Sequence, residues 1–150
     1  MQTFRATRHV AAPAARVWAV ATDLANAPDV ITDIDAVEVL TPGPFGVGTR
    51  WRETRTMYGR TASEEMAVTA VDPERSYSAE ADSRRTHYVS TFGFAPTADG
   101  GTDVTMSFAG EPSGTLARAL TRLTTPLTRR AVEKTLRADL DDIAAAAERG

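Results

Sequence analysis

The stretch 46-GVGTRWRETRTMYGR-60 places Trp51, Glu53, Arg55 and Met57 at one parity. In an extended strand alternate side chains share a face, so a carboxylate and a guanidinium stand between two large apolar groups. If that face is buried, both charges need partners, because an uncompensated buried charge is strongly destabilising. Two readings are open. Either Glu53 and Arg55 form a polar spot in an apolar pocket, where they orient a ligand carbonyl or hydroxyl, or the strand twists or bulges and both charges face solvent. In the first case Glu53 as base, with Arg55 or Tyr88 as carbonyl binder, is the minimum set for general acid–base chemistry.

Tyr77, Tyr88 and Ser90 lie on inward parities of neighbouring strand segments. A tyrosine offers an apolar ring and a hydroxyl that donates or accepts, so the set suits an oxygenated aromatic ligand. Each alone also reads as a satisfied core residue. Phe92, Phe94, Phe108, Met66 and Met106 read as core or cavity wall. His9 and His87 take outward parities and stand apart, and the chain has no cysteine, so no metal site is expected and thiol chemistry is excluded. The sequence holds no nucleophile elbow, phosphate-cradling loop or dinucleotide fingerprint, and no cofactor is expected. Glu64 and Glu65 are adjacent in a strand and so point to opposite faces. Asp139, Asp141 and Asp142 read as a solvated helix face.

The bulk numbers set the frame. A chain of 150 residues suits a single domain over 1–150. At this size folding buries roughly 70% of the chain's surface, enough for one core and one cavity. With 42% hydrophobic and 25% charged residues, disorder is not expected. The net charge of −3 argues against nucleic-acid binding. The basic run from 116 to 130, with Arg118, Arg122, Arg129 and Arg130, reads as a solvated helix face. No apolar run is long enough for a membrane span and no signal peptide is evident, so a cytoplasmic protein without stable membrane insertion is expected. A homodimer through a sheet edge or the basic helix face is left open.

The elements that must position these residues follow from periodicity. Gln2 to Ala11 alternates as a strand. Pro13 then opens a helix with Ala14, Val17, Trp18 and Ala21 on one face. Asp23 to Asp35 is a second short helix or loop, broken at Pro28. Six strands follow: Ala36–Leu40, Arg50–Met57, Ala62–Val71, Arg75–Ala81, Thr86–Ala95 and Thr102–Ala109. Met66, Val68 and Ala70 share a face of the third. The segment 42-PGPFGVG-48 is a turn, and 99-DGG-101 marks a hairpin. Short connections imply an antiparallel sheet. From Ser113 the chain is helical. Leu116, Leu120, Leu123 and Leu127 form one stripe; Val132, Leu136, Leu140 and Ile143 form another on nearly the opposite side. One straight helix cannot bury both, so a kink or break is expected between Thr124 and Arg129, at Pro126.

This order resembles the START-like, or SRPBCC, superfamily, and within it the polyketide cyclase/dehydrase-like group. The resemblance runs through 10-VAAPAARVWAVATDLANAPDV-30, 43-GPFGVGTRWRE-53, 92-FGFAPTADGGTDVTMSF-108 and the C-terminal helix. Many relatives carry a tryptophan after the Asn-Ala-Pro; here it is Val30. The resemblance implies an α+β helix-grip fold: a curved antiparallel sheet of about seven strands on a long C-terminal helix, with two short helices after the first strand. It also implies a hydrophobic cavity between sheet and helix. Trp51, Glu53, Arg55, Met57, Met66, Tyr77, Tyr88, Ser90, Phe92, Met106, Phe108 and Leu136 are its expected lining. Three functions remain: binding of a small hydrophobic or aromatic molecule (lipid-, quinone- or polyketide-like), aromatase/cyclase-type aldol closure and dehydration, or an interaction or stress-related domain with a filled core.

Overall fold

The computed structural model describes residues 2–57, 59–83, 86–112 and 126–149. Its sheet has seven strands in the order β1-β7-β6-β5-β4-β3-β2, each pair antiparallel. The strands are β1 (Gln2–Val10), β2 (Ile34–Val39), β3 (Arg50–Met57), β4 (Arg60–Asp72), β5 (Ser76–Ser83), β6 (Thr86–Pro96) and β7 (Thr102–Pro112). Between β1 and β2 stand α1 (Ala14–Thr22), a single 3-10 turn (Leu24–Asn26) and α2 (Ala27–Val30). The chain closes on α3 (Pro126–Arg149). Because β1 pairs with β7, the first and last strands are neighbours, and α3 packs on β1.

α1 begins where Pro13, outside the helix, accepts backbone bonds from Arg16 and Val17. Pro28 does not break the segment after it, as expected from sequence, but sits in the first turn of α2, where its missing N–H costs no hydrogen bond. α3 is described from Pro126 onward, and the expected break between Thr124 and Arg129 falls partly outside the described residues. The expected stripe of Leu116, Leu120 and Leu123 lies outside the described residues. Leu127, its last member, is exposed. The second stripe is buried, with Leu136, Leu140 and Ile143 in the core and Val132 packed against it.

Two local features redirect side chains. β4 carries a bulge between Val68 and Ala70, where the register to β5 slips by a residue. A bulge resets alternation, so Ala70, expected inside, is exposed and Val71 packs on the core instead. The segment 42-PGPFGVG-48 is more than a turn. Gly48 N–H bonds Val68 O and Val68 N–H bonds Thr49 O, which fixes the loop against β4. That holds Phe45 edge-on to Trp18 and Tyr77, with centroids 6.1 and 5.0 Å away.

Of the three aspartates of α3, Asp141 is exposed as a solvated face requires, Asp142 is half-buried and Asp139 is buried. Asp141 accepts from Arg8 of β1 at 2.5 Å, and Asp142 accepts from the Thr32 N–H at 2.9 Å. Asp139 is 2% exposed. Arg16 donates to the Ala147 carbonyl, and the buried Thr102 hydroxyl donates to the Ala12 carbonyl. The bonds from Arg8, Arg16 and Thr32 pin the C-terminal half of α3 over β1, α1 and the segment after α2, while that of Thr102 ties β7 to the β1–α1 connection.

Candidate functional site

The space between α3 and the sheet has two ends. At one end Trp18, Phe45, Tyr77, Phe92 and Phe94 pack ring against ring, with centroid separations from 5.0 to 6.5 Å. Leu140, Ile143, Ala144 and Ala147 of α3 close the same core cluster. At the other end lies a cavity of about 510 Å³. That volume is in the range of pockets that take small organic molecules, roughly 300–1,000 Å³.

Strand parity explains its walls. β3 contributes Glu53, Arg55 and Met57; β4 contributes Ala62, Glu64 and Met66. β6 contributes Tyr88 and Ser90, and β7 contributes Met106 and Phe108. α3 forms the roof with Ala131, Val132, Thr135, Leu136 and Asp139. The Tyr88 and Phe108 rings stack at 5.1 Å. Gly110, opposite Tyr88 on β7, makes room for this: a Cβ there would meet the Tyr88 ring at 3.3 Å.

Of the twelve lining residues read from sequence, nine border this cavity: Glu53, Arg55, Met57, Met66, Tyr88, Ser90, Met106, Phe108 and Leu136. Trp51, Tyr77 and Phe92 do not. They belong to the packed core, with Tyr77 stacked on Phe92 at 5.0 Å. Parity places a side chain on the concave face but not at one end of it. Burial, reinforced by the charges of Glu53 and Asp139, holds the Tyr77 phenol far above its ordinary pKa, so it stays neutral.

The opening question about charges on an apolar strand face has its answer at the boundary between the two ends. Arg55 donates from Nε to Glu53 at 2.6 Å and from its two terminal nitrogens to Asp139 at 3.2 and 2.9 Å. Trp51 donates its indole N–H to the other Glu53 oxygen at 3.3 Å. The Arg55 and Glu53 side chains are 20% and 19% exposed, and that of Asp139 3%, so neither β3 charge faces solvent freely. Burial works against the Arg55 cation, but Asp139 and Glu53 outweigh it and hold the guanidinium above its ordinary pKa. Burial dominates at Asp139 and pushes its carboxyl above the ordinary carboxylate value despite Arg55.

Asp139 is the residue that sequence reading missed. It stands three positions after Leu136 and seven after Val132, on the apolar stripe itself. Residues so spaced share a helix face. A lone carboxylate on a buried stripe, facing a strand with a lone inward arginine, was the available signal. Glu64 was equally readable, since it shares parity with Met66. His9 and His87 lie outside the cavity. His9 is bound by Asp99 and Asp103, His87 by Glu80 and Asp82, and hydrogen bonds to these carboxylates raise both imidazole pKa values. Among the described residues no cluster of His, Asp or Glu could hold a metal ion, and no helix is long and apolar enough to cross a membrane.

Seven antiparallel strands curled on a long C-terminal helix define a START-like, helix-grip protein. Residues 1–148 match the polyketide cyclase/dehydrase and lipid transport family, and the chain belongs to it. No curated protein matches the sequence. Among solved structures, the START superfamily protein of Mycobacterium smegmatis is 14% identical with a TM-score of 0.79, over 98% of this chain and 97% of that one. TTHA0849 of Thermus thermophilus is 21% identical with a TM-score of 0.78, over 97% of each chain. The Zhui aromatase/cyclase of Streptomyces sp. R1128 is 22% identical with a TM-score of 0.75, over 99% of this chain and 94% of that one. At such identities the likeness is one of fold, and fold alone does not choose a function.

Proposed function

We propose that this protein binds a small hydrophobic or aromatic molecule bearing oxygen functions, lipid-, quinone- or polyketide-like, in the cavity between α3 and the sheet. The observation that carries the reading is a cavity of about 510 Å³ with a mostly apolar wall, in which Glu53, Arg55, Glu64 and Asp139 are the charged members. Met57, Met66 and Met106 on that wall are flexible and polarizable, which suits a pocket that adapts to its occupant. Tyr88 and Ser90 offer hydroxyls, so the ligand's apolar body and its oxygens both find partners. Membership in a family described by polyketide cyclase/dehydrase and lipid transport supports the same class of occupant.

Native mass spectrometry of freshly purified protein tests this, with Ser90→Trp as the control that fills the cavity. A reproducible adduct of small-molecule mass on the wild type, absent from the variant, is the expected result. No adduct, together with no rise in melting temperature against hydrophobic and polyketide-like compounds, overturns the reading.

A second reading, aldol cyclisation with dehydration of a poly-β-ketone, is favoured by one observation: Glu53, Glu64 and Asp139 converge on the cavity around a single guanidinium. A carboxylate there can take the proton from a carbon between two carbonyls, while the cavity folds the chain so that the carbanion meets a further carbonyl. The test is turnover of a synthetic poly-β-ketone. Cyclised product from wild type, reduced at least ~100-fold in Glu53→Gln, supports catalysis; equal rates for both proteins remove it.

A further inference from the structure

We propose that the cavity selects ligands with a protonated amine, held by Glu64. The proposal rests on the reading of the cavity as a ligand site and names the chemical class that site prefers.

The argument is one of hydrogen-bond and charge accounting along the cavity's polar side. The donors of Arg55 are directed at protein carboxylates: Nε at Glu53, and both terminal nitrogens at Asp139. This two-sided engagement leaves no fork for a ligand carboxylate or phosphate, although a lone inward arginine would suggest one. Glu53 is likewise engaged on both oxygens, by Trp51 and by Arg55. Asp139 receives both Arg55 terminal nitrogens and is almost fully buried.

Glu64 differs from all three. It lines the same cavity and pairs directly with Glu53 across the β3–β4 ladder. Among the described residues it has neither an ion-pair nor a hydrogen-bond partner. Its chain neighbour Glu65, on the opposite face, is paired with Arg50. Like charges directly opposite on a sheet repel, so Glu64 and Glu53 disfavour each other unless a cation comes between or beside them. Among the described residues three carboxylates face the cavity against one guanidinium, which makes this side net negative with one unengaged acceptor.

The rest of the wall fits the same class. Met66 stands two residues along β4 from this acceptor, and beyond β5 the stacked Tyr88 and Phe108 rings of β6 and β7 line the same cavity, a surface for an aromatic body. An aromatic amine therefore places its ring on the apolar wall and its ammonium at Glu64. An acid of the same shape meets net negative charge, and a neutral alcohol gains a hydrogen bond without the charge term.

The experiment compares naphthylethylamine, naphthylethanol and naphthylacetate, which share a body and differ in the head group, by isothermal titration calorimetry near neutral pH at low salt. The amine is expected to bind at least about tenfold tighter than the alcohol, as for a charge-assisted hydrogen bond, and the acid weakest. Glu64→Gln should collapse the amine-to-alcohol ratio towards one, and Glu64→Lys should invert the order in favour of the acid. Circular dichroism melts of both variants check that they fold. Equal binding of amine and alcohol by wild type, or an unchanged ratio in Glu64→Gln, overturns the amine preference while the cavity reading stands. If none of the three binds, nor any of the hydrophobic compounds above, both fail together.

Discussion

At one end of the space under α3, Trp18, Phe45, Tyr77, Phe92 and Phe94 meet edge to face and face to face, with Leu140 and Ile143 packed in the same core. At the other end, Tyr88 and Phe108 stack on each other and border a cavity. The same strands build both ends: β6 supplies Phe92 and Phe94 to one and Tyr88 and Ser90 to the other. What differs is the third wall. The loop after β2 brings Phe45, and α1 brings Trp18, to the filled end. Among the described residues neither element contributes to the lining at the hollow end. Among the described residues the hollow end has no counterpart to Trp18 and Phe45 as a filler.

The Arg55 cluster marks the division, and removing its cation gives the largest expected effect. Arg55→Met leaves Asp139 and Glu53 buried without their partner, which should cost about 3–5 kcal/mol in urea unfolding. A loss under ~1 kcal/mol would mean that the cluster is solvated and the two ends are continuous.

Next comes a matched pair of truncations. Leu140 is 1% exposed in the filled end, and Leu140→Ala should cost ~2–5 kcal/mol. Met66→Ala, on the half-buried wall of the hollow end, should cost less than about 2 kcal/mol, because space already lies beside it. Equal losses would break the comparison.

Two glycines sharpen it. A Cβ at Gly101 would lie 2.7 Å from the Val10 carbonyl, a backbone atom that cannot yield cheaply, so Gly101→Ala should cost about 1–3 kcal/mol. At Gly110 the neighbour is the Tyr88 ring, which has a cavity to move into. Gly110→Ala should leave stability within about 1 kcal/mol of wild type but tilt Tyr88 and weaken ligand binding. Thermal melts and dye titrations read both.

The smallest effect is a pH dependence. The folded pKa of Asp139 is raised, so the native state holds that proton longer than the unfolded chain does. Its contribution to stability is greatest below the ordinary value of 3.8 and is lost as pH rises through the raised folded value. The stability of wild type minus that of Asp139→Asn should therefore fall with rising pH in that window. A rise would mean that Arg55 dominates over burial.

These residues also show what could be read from sequence alone. Strand order and hairpins were legible because turn residues and alternation are local. That Glu53 and Arg55 share a face with Trp51 and Met57 was legible for the same reason, but whether a twist or bulge turns them to solvent was not. Ala70 was misplaced because a bulge leaves no clear mark in alternation, and Val71 took its inward place. Asp139 was grouped with Asp141 and Asp142 by nearness in sequence, although the helical repeat places it with Leu136. Phe45 looked like part of a turn because the contact that uses it lies far away in the chain. Trp51, Tyr77 and Phe92 had the correct face, but which end of the sheet is filled depends on the α1 and loop packing that parity does not encode.

The most direct test uses the methionines. Met57, Met66 and Met106 all border the cavity, and the only other methionine is Met1. Protein labelled with ¹³C at the methionine methyls should show shifts of these three signals on titration with naphthylethanol. The Leu140 and Val17 methyls of the filled end, labelled in a second sample, should stay in place. Shifts at Leu140 and Val17 with the three methionine signals unmoved would contradict the division of the molecule into a packed end and a binding end.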